Sequence, residues 1–119
     1  MSDRSEELAA KLAEIKFDYL RRLRDEWLLA LESFRALPLS SWDKEQLEKI
    51  VIHAHGATGS GAIFGYKDLS DQAQELEDLS HSLVNQADRM SESQHREIIQ
   101  LIDKLRAAYQ EALNDLMLS

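Results

Sequence analysis

Ile50-Val51-Ile52-His53-Ala54-His55-Gly56-Ala57-Thr58-Gly59-Ser60-Gly61-Ala62-Ile63-Phe64-Gly65 holds every glycine of this chain and two of its four histidines. Everywhere else the sequence reads as glycine-free amphipathic helix. A helix-interior glycine costs about 0.5–1 kcal/mol relative to alanine, so such a cluster needs a physical reason. The spacing predicts that the stretch is itself helical. It starts near Ser41 to Asp43, turns Leu47, Ile50, Val51, Ala54, Thr58, Gly61, Ala62 and Gly65 inward, and ends at Gly65-Tyr66, where glycine suits the left-handed C-terminal position.

The helical wheel separates the two histidines. With Leu47 at zero and about 100° per residue, His55 falls at about 80°, on the shoulder between core and solvent. His53 falls about 120° away on the other side, so the pair cannot share a metal ligand field. No inward-facing pair of Glu-x-x-His motifs supplies another metal site. Ile52, Gly56 and Gly59 point outward around His55. For Gly61 and Gly65, on the inner face, close packing of a neighbouring helix is reason enough. A solvated face gives no such reason, so Gly56 and Gly59, with Ile52, are expected to form a smooth surface on which another protein docks beside His55. Phosphate-binding loops are excluded. Ala62-Ile63 stands where G-x-x-x-x-G-K-[ST] requires Lys-Ser/Thr, and Phe64 stands where a dinucleotide G-x-G-x-x-G requires glycine.

On either side of this helix the periodicity is equally plain. From about Ser5 to Ala36, Leu8, Leu12, Ile15, Tyr19, Leu23, Trp27, Ala30 and Phe34 make one stripe, widened by Phe17, Leu20, Leu28 and Leu31. Leu37-Pro38-Leu39-Ser40-Ser41 stops it. A third helix beginning around Lys67 to Ser70 carries Leu69, Ala73, Leu76, Ser80, Leu83 and Ala87. After a polar loop over 85–93, a last helix capped by Ser91 or Ser93 runs to about Leu116 on Ile98, Leu101, Ile102, Leu105, Tyr109 and Ala112. Four helices with short connections predict an all-α, antiparallel four-helix bundle, one domain spanning 1–119. His81 and His95 have no spacing that makes a site and read as surface residues.

Composition narrows the chemistry. With 22 acidic against 14 basic residues, the formal charge of −8 argues against nucleic acid and against an acidic membrane surface as partners. No apolar run approaches membrane-spanning length. The absence of cysteine excludes thiolate metal sites and fits a cytoplasmic protein.

The central stretch resembles the active helix of histidine phosphotransfer (HPt) domains. These carry a histidine in a pattern close to His-x-x-Lys-Gly, then small residues, an aromatic and a glycine, with a Leu-Glu in the following helix. Here that pattern reads His55-Gly56-Ala57-Thr58-Gly59, Ser60 to Ile63, Phe64-Gly65 and Leu76-Glu77. The small-residue run before Phe-Gly is particularly similar to the phosphotransfer domains of chemotaxis-type kinases. The resemblance implies that His55 is a phosphoacceptor exchanging phosphate with receiver-domain aspartates, or taking it from a histidine kinase. It also implies that the chain needs no cofactor of its own, because Mg²⁺ sits in the receiver, and that it has no autonomous kinase activity. A hairpin about Gly65-Tyr66 brings Glu77 level with His55 and Gln74 a turn away. Either suits ring orientation, and Glu77 reads equally as a solvated helix charge. Thr58 departs from the family pattern: it stands where the lysine neutralises the phosphoryl group, offering one hydrogen bond and no charge. That substitution leaves a second reading, a degenerate HPt-like adaptor or inhibitor that binds a receiver or kinase without accepting phosphate.

Overall fold

The computed structural model describes residues 2–118. Helix α1 (Ser2–Leu23), a π-helical turn (Arg24–Leu28) and α2 (Leu29–Arg35) follow one another without leaving helical backbone, making a single long rod. A 3₁₀ turn (Leu39–Ser41) leads to α3 (Lys44–Ile63), followed by α4 (Lys67–Val84) and α5 (Glu92–Leu118). The described residues contain no strand. The four rods form the expected all-α helical bundle.

Local chemistry accounts for the boundaries. After Pro38 the chain is fastened by Trp42, whose indole N–H donates to the Leu37 carbonyl at 3.1 Å. The Asp43 carboxylate accepts from the Gln46 amide at 2.9 Å, capping α3. The same helix ends in a Schellman arrangement: the Tyr66 amide donates to the Gly61 carbonyl and the Gly65 amide to the Ala62 carbonyl. Gly65 holds φ +82° there and has no neighbour within 4 Å of a built Cβ. Its role is therefore conformational, correcting the expectation that it packs inward. Ser91 and Gln94 form a reciprocal capping box at the start of α5.

The core is built from Tyr19, Leu20, Leu23, Leu28, Leu31 and Phe34 of the first rod, packed against Ile50, Ala54, Ala57, Leu69, Ala73, Leu76, Ile98, Ile102 and Leu105. Helices α3 and α4 approach closely because small residues line the seam. A Cβ on Gly61 would stand 3.1 Å from the Leu69 side chain. Across that seam the Ser70 hydroxyl donates to the Thr58 carbonyl at 2.8 Å. Close packing is thus the reason for Gly61, as its place on the wheel implies.

One half of the first stripe departs from expectation. Leu8, Leu12 and Ile15 are 64%, 53% and 52% exposed, and Phe17 is exposed as well. From Asp3 onward, Tyr19 is the first buried residue of the rod. The molecule extends 63 Å along its longest axis against 21 and 18 Å across, and the N-terminal half of α1 projects past the other helices. Periodicity identifies an apolar face, but not whether anything in the same chain covers it. Ala87, expected in the α4 stripe, is exposed beyond the end of that helix.

Candidate functional site

Helix α3 separates its residues into three faces. Ala54 and Gly61 meet α4 and the core, while His53, Gly56 and Ser60 meet the first rod. Glu48, Ile52, His55, Gly59, Ala62 and Ile63 make an exposed stripe. Ile52 is 67% and Ile63 82% exposed, so the stripe is apolar on both sides of the histidine. Ile63 was not among the residues expected here. Its spacing of four from Gly59 and eight from His55 was the available signal.

The His55 side chain is 77% exposed, yet one edge of its ring is held. Its Nδ1 lies 2.9 Å from Oε2 of Glu77, a side chain only 18% exposed on α4. The hairpin turn at Gly65 makes this pairing, setting the two residues level on adjacent antiparallel helices. A carboxylate accepts hydrogen bonds, so the proton belongs on Nδ1 and the lone pair on the outward Nε2. The other Glu77 oxygen, Oε1, is buried with no partner among the described residues. Gln74 is turned away, donating instead to Asp78 at 2.8 Å. Of the two side chains that could meet the ring, only Glu77 does.

Thr58 stands one turn from His55, with its hydroxyl donating to the Ala54 carbonyl at 2.9 Å. That internal bond uses the one proton the side chain has, so Thr58 offers no donor to a group on His55 in this conformation. Gly59 is open, with nothing within 4 Å of a built Cβ.

Gly56 has a packing role that the wheel alone does not reveal. A Cβ at this position would come within 2.7 Å of the Trp27 indole, too close for real atoms. Trp27 belongs to the π-helical turn, which aims the ring at α3. Gly56 therefore lies beneath the first rod rather than on the docking surface assigned to it. Next to it, Ser60 donates to the Gly56 carbonyl at 2.7 Å and is hydrogen-bonded to the Tyr19 hydroxyl at 3.0 Å. Tyr19 stacks on Phe64 with 4.2 Å between centroids, and its burial pushes the hydroxyl pKa up.

The remaining histidines are dispersed. His53 is half-buried near Phe34, 6.5 Å between centroids, and burial lowers its pKa. His81 is exposed, as expected. His95 is not a free surface residue: it is half-buried and packs edge-on against Trp42, with 4.9 Å between centroids. Among the described residues no three His, Asp or Glu side chains converge in a way that could hold a metal ion. No helix of the described residues is long and apolar enough to cross a membrane.

Compared with known protein families, residues 5–114 match the Hpt domain model. Neither the curated proteins nor the solved structures contain a match to the chain.

Proposed function

We propose, from the premise that this chain belongs to the Hpt domain family and has its general histidine phosphotransfer role in phosphorelays, that His55 is the residue that carries the phosphoryl group. The observation behind this reading is the His55–Glu77 pair: a ring 77% exposed, fixed through Nδ1, with Nε2 directed to solvent. Neutral imidazole is a nucleophile near neutral pH. In the proposed step the Nε2 lone pair forms a bond to phosphorus as the P–O bond to a receiver aspartate breaks. The aspartate leaves as a carboxylate, Nδ1 keeps its proton, and the positive charge gathering on the ring is balanced by Glu77. The reverse step returns the phosphoryl group to a second aspartate. Glu77 acts here as a positioning residue that fixes tautomer and ring orientation.

The receiver would dock on the stripe of Ile52, Gly59, Ala62 and Ile63. Gly59 leaves the turn beyond His55 bare, so a receiver's phosphorylated loop can approach Nε2 without meeting a side chain. Incubation with a phosphorylated receiver, followed by assay for acid-labile, base-stable phosphate, tests the proposal directly. Label on wild type and none on His55→Gln is the expected outcome. Label retained by His55→Gln would overturn it.

One observation favours a second reading. Thr58 stands where the family pattern has lysine, and its hydroxyl is turned onto Ala54. An adaptor that binds a receiver without accepting phosphate would show saturable receiver binding in the same experiment and no phosphohistidine.

A further inference from the structure

Trp27 reaches α3 with the polar edge of its ring. A Cβ built on Gly56 stands 2.7 Å from the indole nitrogen Nε1. The π-helical turn carries the ring there, and the glycine leaves room for it. Among the described residues Nε1 has no hydrogen-bond partner, and it is not shut off from water. The second tryptophan is the contrast: Trp42 is 4% exposed, and its N–H is bonded to the Leu37 carbonyl.

The open edge of the ring borders His55. On α3, Ala57 lies about 100° to one side of Gly56 and His55 about 100° to the other. The Ala57 side is closed, because there the ring meets an apolar seam with Leu23, Leu31, Ala57 and Leu105. Water therefore reaches Nε1 from the His55 side. Successive Cβ positions of a helix are about 5 Å apart, which puts Nε1 within about 8 Å of the His55 Cβ. A standard interface covers about 800 Å² of each partner, a disc of about 16 Å radius. Any protein whose reacting atom meets His55 thus also covers the indole N–H. His55 is set between an acceptor on α4, Glu77, and a donor on the first rod.

A donor that is covered has to be met. A partner with an oxygen in reach gains a directed hydrogen bond. One without leaves a buried N–H unpaired and loses affinity by about ten- to a hundredfold. Tryptophan suits such a place, since it joins a large apolar surface to a single donor. We infer that Trp27 is a partner-selecting residue: its indole N–H donates to an oxygen of the docked receiver and penalises receivers that offer none. The inference rests on the reading of the His55 face as the receiver's docking surface.

NMR of the ¹⁵N-labelled full chain tests it, because two tryptophans give two indole N–H signals. On titration with an isolated receiver domain, the Trp27 signal should shift and its exchange with water should slow about tenfold. The Trp42 signal should stay in place, since its N–H is already bonded. Trp27→Phe, its fold checked by thermal unfolding, should raise KM for the phosphorylated receiver about tenfold and change kcat far less. A bound receiver that leaves the Trp27 signal unmoved overturns the inference, whether or not that variant folds. So does a folded Trp27→Phe with the wild-type KM. Receiver binding with the Trp27 shift but no phosphohistidine would refute phosphate acceptance at His55 and leave the inference standing. A chain that binds no receiver overturns both.

Discussion

The Trp27 indole lies so close to α3 that only glycine fits at position 56, with 2.7 Å left between the ring and a built Cβ. The contact fixes the first rod against the turn of α3 that carries His55. It also makes the outer glycines unequal, since Gly59, three residues later, meets nothing.

Gly56→Ala should therefore destabilise the bundle. Overpacking costs about 1–3 kcal/mol, more than the gain of about 1 kcal/mol that alanine brings to a helix. A net loss of about 1 kcal/mol appears as a fall in Tm of roughly 4 °C. Gly59→Ala should raise Tm, by up to roughly 4 °C, because the same gain is unopposed. Thermal unfolding of the two variants side by side checks the contrast. Equal responses would mean that Trp27 yields freely.

Gly59→Gln should melt close to wild type, yet it projects a long side chain into the space above His55. Transfer from a phosphorylated receiver should slow at near-native stability. A large drop in Tm would place Gly59 against another helix, and unchanged transfer at native Tm would move the docking surface elsewhere.

Removing the Glu77 carboxylate should act on transfer more than on folding, because its partner ring is largely exposed. Glu77→Ala loses both orientation and charge and should slow phosphorylation of His55 by about tenfold or more, on the scale of a charge-assisted hydrogen bond. Glu77→Gln keeps an acceptor for Nδ1–H and should fall between that variant and wild type. The rate of receiver-to-His55 transfer across pH 5–8 distinguishes them. A Glu77→Ala rate equal to wild type would return Glu77 to the role of a solvated charge.

Thr58→Lys should raise the yield or lifetime of phosphohistidine by placing a charge where the hydroxyl now faces Ala54. The decay of the acid-labile label measures it directly. An unchanged yield and lifetime would show that a cation from elsewhere already serves.

His53 gives the fold a mild acid sensitivity. Its pKa is lowered by burial from the ordinary 6.5, so the unfolded chain takes up the proton more readily. The stability associated with neutral His53 is present above pH 6.5 and is lost as pH falls through its folded value. Tm should decline below pH 6.5 less steeply in His53→Gln than in wild type, while phosphate acceptance at His55 is unaffected. Parallel slopes would show that His53 takes its charge without cost.

Much of this molecule follows from short-range rules. Asp43, Gly65 and the Ser91–Gln94 pair end or start helices through bonds spanning a few residues, so the local sequence is enough to locate those boundaries. The 3.6-residue repeat likewise determined four amphipathic rods, and the wheel separated His55 from His53 because both angles belong to a single helix. Contacts between rods decided the rest. Whether Glu77 or Gln74 meets His55 depends on how α4 is rotated against α3, a quantity in neither helix alone. Gly56 and Gly59 look alike on the wheel, and only the arrival of Trp27 from the first rod distinguishes them. Leu8, Leu12 and Ile15 share one repeat with Tyr19 and Leu23, yet only the last two are buried. Apolar periodicity is a property of a helix by itself, whereas burial requires a second surface, and tertiary structure supplied one only from Tyr19 onward.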